Sequence, residues 1–301
     1  MMSTETLDPR YLDLDRWPTG MAVEAMLEGQ MAAVAAIQSQ TADIAHAAEA
    51  AAARLGRDGR LVFVGAGTSG RLAVQDGTEL HPTFGWPMER LVFLMAGGPG
   101  ALTAAFEGAE DDGAAAQAAV DRCAIRAADV VIGVAASGRT PYTVAAVARA
   151  RAAGALTIAI VNNADTPLVD AAEHGLAAVT GSEIVAGSTR MKAGTAQKVM
   201  LNLLSTAIMI RLGLVYRGRM VAMRVSNAKL LRRARQMVQD LAGVAPDAAA
   251  RALDMADNDI RLGIIVAMGV APDEGRALLD RHGGNLRDAL HDLTARAAGR
   301  A

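Results

Sequence analysis

Short apolar runs alternate with longer segments of helical periodicity through the middle of the chain. The apolar runs predict strands at 61–65, 91–95, 130–134 and 156–161, with a fifth at 176–180. The segments between them predict helices at 70–80, 99–106, 114–122, 141–153 and 166–172. Strands that are apolar on both faces and separated by helices indicate a parallel sheet covered on both sides. The sequence therefore predicts an α/β fold with three layers around a parallel sheet.

The segments that flank this alternation have a different composition. Residues 1–20 are polar and contain prolines, which predicts an extended arm, while residues 21–55 are alanine-rich and helical with a break near Gly29. Residues 193–212 predict one long apolar helix that ends at Gly213.

The carboxy-terminal part of the chain has no convincing strand after about residue 225. Its short helical patterns are divided by segments at 243–246, 269–272 and 282–284, each of which contains glycine. We therefore expect two domains: residues 1–225 form the α/β domain with its amino-terminal arm, and residues 226–301 form a small all-helical domain.

Composition and charge narrow the class of protein. The 301 residues are 52% hydrophobic but only 3% aromatic, so aliphatic side chains and alanine must build the core. The net charge of −2 gives no strong field for nucleic acid or an anionic membrane. Basic residues between 229 and 235 surround Leu230 and Leu231 at helical spacing, which is typical of a solvated helix face. We therefore expect no nucleic-acid partner.

Several features favour a cytoplasmic protein. Cys123 is the single cysteine, so an internal disulfide and a thiolate metal cluster are excluded. Residues 1–16 lack the pattern of a secretory signal. No stretch approaches the about 18 uninterrupted apolar residues of a membrane span, so we expect no membrane partner. The five histidines show no metal-ligand spacing, so no metal site is predicted.

Two loops at predicted strand ends combine glycine with hydroxyl side chains. One is GAGTSGR at 65–71, and the other is AASGRTP at 135–141. Each stands where a helix should begin, and helix amino termini present unpaired N–H groups and partial positive charge to anions. Because the carboxyl ends of parallel strands share one edge of the sheet, the two loops together could bind one phosphate monoester.

The first loop also satisfies the G-x-G-x-x-G pattern of dinucleotide sites. That pattern requires an acidic residue at the end of the next strand to bind the ribose hydroxyl. Here the next strand, 91–95, is followed by AGGPG, which has no carboxylate. The pattern therefore disfavours a dinucleotide, while tight strand-to-helix turns without a ligand remain an alternative for each loop.

A third segment and two acidic groups add candidate chemistry. The segment GSEIVAGSTRMKAGTAQK at 181–198 joins the last strand to the long helix and could supply a cationic clamp for an anion. Glu79 stands before Pro82, which we expect to end its helix, and Glu110 lies in an acidic group after the second strand. Two carboxylates beside a phosphate site are suited to proton transfer, although solvated helix-end carboxylates are an alternative.

These segments together resemble the sugar-phosphate isomerase-like domains and, among them, the N-acetylmuramic acid 6-phosphate etherase family. The resemblance also rests on PTFG at 82–85, AGG at 96–98 and EGAED at 107–111, and it covers nearly the whole chain. It departs from the family around the first glutamate, where TELHP at 78–82 replaces the usual Ser-Glu-Cys-Pro-Pro.

The resemblance implies a cofactor-free, cytoplasmic lyase of peptidoglycan recycling. Enzymes of this family split the D-lactyl ether of N-acetylmuramic acid 6-phosphate by elimination and then hydration, giving N-acetylglucosamine 6-phosphate and D-lactate. The family's two glutamates correspond to Glu79 and Glu110. The substrate-binding residues that we expect are Thr68, Ser69, Gly70, Arg71, Ser137, Gly138, Arg139, Thr140, Glu183, Ser188, Arg190 and Lys192.

Two other functions stay open at this point, namely a sugar-phosphate isomerase and a sugar-phosphate-sensing regulator without turnover. An isomerase would release no lactate, and a regulator would need a partner or a DNA-binding module. We also expect a homodimer in which the loop from Ser188 to Lys192 completes a site shared between subunits, because the helix that follows is too apolar to face water.

Overall fold

A computed structural model describes residues 3–104, 106 and 108–298 of the chain. Contacts divide the chain into two compact units: Met1–Thr78 with Glu89–Ile208, and Glu79–Met88 with Met209–Ala301. The second unit thus begins earlier than the boundary near residue 225 that the sequence predicts, and that boundary stays a prediction.

The first unit is built on a parallel sheet. Its five strands are β1 (Leu61–Gly65), β2 (Leu91–Met95), β3 (Val130–Ala135), β4 (Leu156–Val161) and β5 (His174–Ala177). They pair in the order β2-β1-β3-β4-β5, and all four pairings are parallel. The strand order reverses between β1 and β3, and ligands of such sheets bind where the order reverses, at the carboxyl ends of the strands.

Helices cover both faces of this sheet, as the sequence predicts. They are α1 (Thr19–Ala35), α2 (Thr41–Leu55), α3 (Gly67–Phe84), α4 (Gly113–Arg122), α5 (Pro141–Ala152), α6 (Pro167–Ala171) and α7 (Lys192–Arg211). On one face, Val62 and Val131 pack with alanines and with Leu168 of α4 to α6. On the other face, the rings of Phe63 and Phe93 stack beside Gly77 of α3. Helix α3 begins in the first unit and ends in the second.

In the part of the second unit that the structure describes, the regular elements are helices and one short bridge between Tyr216 and Arg219. Its helices are α8 (Ala228–Ala242), α9 (Pro246–Met255), α10 (Ile260–Ala267), α11 (Pro272–Arg281) and α12 (Leu286–Ala298). Buried aliphatic residues such as Leu253, Ile264 and Leu278 form its core. The predicted breaks near 243–246, 269–272 and 282–284 are confirmed. A further break at 256–259 was not predicted; there the Asp259 carboxylate accepts from the amides of Arg261 and Leu262 at the start of α10.

Four local predictions are wrong. The arm at 1–20 is not extended: described residues form 3-10 turns at Ser3–Glu5, Pro9–Tyr11 and Leu14–Arg16. The helix predicted at 99–106 is a 3-10 turn, Pro99–Leu102, because Gly97 and Gly98 adopt positive φ and Arg71 binds the carbonyls of Ala101 and Ala104.

The other two concern helix interruptions. Helix α1 continues through Gly29, where the missing side chain leaves room for Ile184 and Lys192, and the interruption falls at Ala36–Gln40 instead. Pro82 does not end α3, which runs to Phe84; the proline lies in the last turn, where a missing N–H breaks little of the helix.

By length and hydropathy alone, one helical stretch among the described residues, Thr19–Leu55, could cross a membrane. Its second half is a core helix of the first unit, because Ile44, Ala47, Ala51 and Leu55 are buried and α2 contacts β3, β4 and β5. The first half, α1, is largely exposed, including several of its large apolar side chains.

Candidate active site

The glycines of the first loop serve mainly to bring α3 close to β1. A Cβ at Gly70 would lie 2.3 Å from Met95 Sδ and 2.8 Å from the carbonyl oxygen of Gly65. Gly67 adopts φ +52°, with open space on its side-chain position. The structure therefore gives Gly70, which we expected to bind substrate, a packing role, and it leaves the start of α3 accessible near Gly67.

The second loop is shaped by contacts to the segment after β4. Gly138 adopts φ +63°, and a Cβ there would lie 2.3 Å from Thr166 Oγ1. The Ser137 hydroxyl accepts a hydrogen bond from the Arg139 amide at 3.2 Å. Thr140 precedes α5 without capping it through its side chain. Backbone and side-chain contacts thus shape the loop, while among the described residues the Thr140 hydroxyl and the Arg139 guanidinium have no partner.

The third segment reaches the same edge of the sheet. A Cβ at Gly194 in the first turn of α7 would lie 3.7 Å from Thr68 Cγ2, so the starts of α7 and α3 are neighbours. The Lys192 ammonium donates to the Ser182 carbonyl at 2.8 Å. Thus the segment is close to the first loop, as expected, but Lys192 is engaged in holding its own loop.

Glu183, one of the predicted substrate-binding residues, caps the amino terminus of α7. The residue is 1% exposed, and its two carboxylate oxygens accept hydrogen bonds from the amides of Lys192 and Ala193, both at 2.9 Å. A carboxylate at a helix amino terminus satisfies unpaired N–H groups and the helix dipole. Glu183 therefore occupies the amino terminus of α7, which the sequence pattern suggests as a position for the anion of a ligand.

Several polar side chains at this edge have no protein partner. Within the described part of the chain, the hydroxyls of Thr68, Ser69, Thr140 and Ser188 make no hydrogen bond, and the guanidinium groups of Arg139 and Arg190 make neither a hydrogen bond nor an ion pair. Neutral donors and cations that the protein leaves unused are suited to a phosphate. Arg71 differs, because its guanidinium donates to the carbonyls of Ala101 and Ala104.

A cleft of about 320 Å³ opens beside the first loop. Thr68, Arg71 and Glu110 line it together, along with residues of the segment after β2. Glu110 is exposed on a 3-10 turn, Ala109–Asp111. One of the two candidate carboxylates thus lies in the same cleft as the first loop.

Glu79 does not line this cleft. It is exposed on α3, eleven residues after Thr68, which is about three helical turns. With Gln75, Thr78 and Pro82 it forms an exposed stripe at helical spacing along α3. Contacts group Glu79 with the second unit.

Two residues that the sequence reasoning missed support the second loop. The Asn163 amide donates to the Ala136 carbonyl at 2.9 Å and to Thr4 Oγ1 at 3.0 Å. Thr4 is fully buried although it lies in the amino-terminal arm, 159 residues away in sequence. No local sequence signal marks such a long-range bond. The arm is therefore part of the site's support.

Comparison with known proteins gives the family of the chain. Residues 43–151 match the glucokinase regulatory protein N-terminal SIS domain, and residues 112–207 match the SIS domain. The N-acetylmuramic acid 6-phosphate etherase of Deinococcus radiodurans is 46% identical over 95% of this chain and 94% of its own length. The chain belongs to the N-acetylmuramic acid 6-phosphate etherase family. Family members from Streptomyces coelicolor and Pectobacterium atrosepticum are 45% and 42% identical over 96% and 95% of the chain and 93% and 95% of their own lengths.

A solved structure supports the fold. A candidate phosphosugar isomerase involved in capsule formation from Bacteroides fragilis aligns with 67% of this chain and 95% of its own, with a TM-score of 0.53 and 22% identity. At that identity the likeness supports the fold alone. The predicted α/β class with a helical carboxy-terminal part is confirmed.

Proposed function

We propose that this etherase-family chain cleaves the D-lactyl ether of N-acetylmuramic acid 6-phosphate and releases D-lactate and N-acetylglucosamine 6-phosphate. The observation that carries the proposal is the set of unused hydroxyls and arginines at the carboxyl edge, next to a cleft that contains Glu110. Ser69 and Thr140, with Arg139 and Arg190, bind the 6-phosphate. The Ser137 hydroxyl, which already accepts from the Arg139 amide, can donate its proton to a phosphate oxygen.

The reaction needs a base at C2 of the open-chain sugar and an acid at the ether oxygen on C3. The aldehyde acidifies the C2 hydrogen, so a carboxylate can remove that proton while the C3–oxygen bond breaks and lactate leaves with a proton from the acid. Water then adds to C3 of the unsaturated aldehyde. Glu79 removes the C2 proton and then donates it to the departing ether oxygen. After water adds at C3, Glu79 returns the proton lost by the water to C2, while Glu110 assists ring opening and orients the water.

The direct test is incubation of the purified chain with N-acetylmuramic acid 6-phosphate, followed by assays for D-lactate and for sugar products. We expect stoichiometric D-lactate and N-acetylglucosamine 6-phosphate. Isomerised sugar phosphate without lactate would indicate an isomerase instead, and saturable binding without any product would indicate a sensor.

We also propose that the chain is a homodimer. Val23, Leu27, Met31 and Val34 lie on one face of α1 at spacings of four, four and three residues, and each is between 45% and 59% exposed. A row of large apolar side chains at helical spacing is typical of a helix that packs against a partner. The long helix α7 carries fewer exposed apolar residues, Leu203 and Ile210, and is otherwise largely buried within its own chain. Light scattering should give a dimer at micromolar concentration, and Leu27→Glu should give a monomer.

In this dimer, Glu79 of one subunit acts in the cleft of the other. Two observations support this proposal. Glu79 lies three turns along α3 from Thr68, on an exposed stripe, whereas Glu110 lines the cleft of its own chain. Mixing Glu79→Gln with Glu110→Gln subunits tests this, because a mixed dimer contains one intact pair of glutamates. Random assembly should restore about a quarter of wild-type activity. No restoration after verified subunit exchange would place both glutamates in one subunit.

The cytoplasm is the proposed location. The single cysteine and a phosphorylated substrate support a reducing, intracellular compartment. Fractionation of cells that express the tagged chain should recover it without detergent, and recovery only from membranes would contradict this assignment.

A further inference from the structure

A second cleft, of about 380 Å³, lies beside the edge strand β2. Its walls are mainly apolar, with Val74, Phe93 and Leu102 among them, and its polar lining includes Arg122, Cys123 and Tyr142. Its volume is within the usual range for small-molecule sites, and an apolar cleft with a few convergent polar groups is typical of them. It shares only Met95 with the lining of the candidate active site.

Tyr142 lines this cleft and has an unused hydroxyl. The residue is 5% exposed, packs in the core with alanines of α4, and makes no hydrogen bond within the part of the chain that is described. A buried tyrosine hydroxyl usually has a hydrogen-bond partner. Burial also raises the pKa of Tyr142, so the hydroxyl stays protonated and can donate.

Arg122 brings an unpaired charge to the same cleft. Among the described residues no carboxylate lies within ion-pair distance of its guanidinium, and the adjacent Asp121 pairs with Arg149 instead, at 2.8 Å. The charge of Arg122 lowers the pKa of Tyr142 and so offsets part of the rise that burial causes. The charge of Asp112 raises the pKa of Tyr142. A cation and a hydroxyl donor that line one apolar cleft together favour a carboxylate.

We propose that this cleft is a binding site for a medium-chain organic carboxylate. The carboxylate accepts hydrogen bonds from the Arg122 guanidinium and the Tyr142 hydroxyl, and the apolar body lies against Phe93 and Leu102. The cleft offers too few polar groups for the hydroxyls of a sugar, so its ligand differs in class from the substrate of the active site. The proposal does not depend on the etherase activity.

The single cysteine makes the test site-specific. Cys123 lines the cleft, so the rate at which neutral N-ethylmaleimide modifies it reports occupancy. We expect octanoate to slow this modification saturably, whereas octanamide, which has the same chain without the charge, should have little effect. Isothermal calorimetry with octanoate gives the affinity directly and decides the question even if Cys123 reacts slowly.

Variants connect binding to the two polar groups. Arg122→Gln should weaken octanoate binding about tenfold or more, and Tyr142→Phe should weaken it severalfold while it keeps the packing of the ring. Lys229→Gln on α8 makes the same change in net charge at a residue that does not line the cleft and should leave the affinity unchanged. Thermal melting confirms that each variant is folded.

Three results would overturn the proposal. They are absence of octanoate binding at millimolar concentration, equal binding of octanamide, and unchanged affinity in a folded Arg122→Gln variant. The last result would mean that octanoate binds elsewhere or through its chain alone.

Discussion

At the amino end of the sheet, Asp129 joins the starts of β1 and β3 through Arg60, whereas at the carboxyl end Arg139 and Arg190 have no such partner among the described residues. Asp129 is fully buried and accepts from the Arg60 guanidinium at 2.6 Å and from the amides of Arg60 and Arg126, both at 3.0 Å. Burial would raise the pKa of Asp129, but the hydrogen bonds from Arg60 and Arg126 outweigh it and lower this pKa.

Other arginines at the amino end bind backbone carbonyls. Arg54 donates to the carbonyls of Ala127 and Gly154, and Arg90 donates to that of Gly59. Such bonds satisfy buried or turn carbonyls and stabilise the fold. Arginine side chains thus stabilise structure at the amino end of the sheet and, for Arg71, at the carboxyl end as well, whereas Arg139 and Arg190 are left available for a ligand among the described residues. The candidate site is therefore distinguished by arginines that have no protein partner among the described residues, and not by the mere presence of arginine.

The largest effect should come from the site at the carboxyl end, to which the proposed dimer contributes Glu79 of the other subunit. Glu79→Gln should lower turnover about 10²–10⁴-fold, because it removes a general acid–base group, and Glu110→Gln should be milder. Glu79 is exposed, so the melting temperature of the variant should match the wild type. Steady-state kinetics and calorimetry measure the two properties. A Glu79→Gln enzyme with wild-type turnover would remove Glu79 from the mechanism.

A substitution at the amino end of the sheet should lower stability, whereas Glu79→Gln should lower turnover. Asp129→Asn breaks a buried ion pair and should cost about 3–5 kcal/mol of unfolding free energy. Because the pKa of Asp129 is lowered in the folded state, its stabilisation is present above the ordinary pKa of 3.8 and is lost as the pH falls below that value. Denaturant titrations at pH 7 and at pH 3 should therefore show a smaller difference between variant and wild type at low pH. An equal difference at both pH values would argue against this role.

Two arginines provide a matched pair. Arg139→Gln should raise the KM for the sugar phosphate by the loss of about 1.5–3 kcal/mol of charge-assisted binding, with stability unchanged. Arg54→Gln should lower the melting temperature and leave KM unchanged, since its guanidinium binds carbonyls at the amino end. If both variants changed KM alike, the contrast between the two ends would not hold.

The smallest effect concerns the support of the second loop. Thr4→Val removes the hydroxyl that accepts from the Asn163 amide, while the bond of that amide to the Ala136 carbonyl stays. The change should cost about 1 kcal/mol of stability, with a modest rise in the KM for the sugar phosphate. Thr4→Ser keeps the hydroxyl and should restore both values. Failure of serine to restore KM would show that the methyl group, and not the hydrogen bond, supports the loop.

Local pattern was sufficient for most of the sheet and for the loops that follow its strands. Four of the five predicted strands agree with the structure to within one residue, and the fifth lies two to three residues earlier than predicted. Apolar runs specify buried parallel strands directly, and glycine with hydroxyl residues marks the turns after them. The loops at 65–71 and 135–141 accordingly lie at the carboxyl edge.

The sequence pattern could not predict features of the site that depend on contacts between residues distant in sequence. The burial of Thr4, the cap that Glu183 makes on α7 and the carbonyl contacts of Arg71 each join segments that no local periodicity relates. Whether an arginine or carboxylate is free for a ligand is decided by such contacts. Residue type alone therefore identified the candidates but not their roles.

The most direct test of the etherase site is the reaction in isotopically labelled water. N-acetylmuramic acid 6-phosphate converted in D₂O, and separately in H₂¹⁸O, should give N-acetylglucosamine 6-phosphate with deuterium at C2 and with ¹⁸O on C3, as mass spectrometry and NMR can show. That outcome requires proton removal at C2 and addition of water to C3. Release of D-lactate without deuterium at C2 would mean direct displacement, and would contradict the acid–base roles given to Glu79 and Glu110.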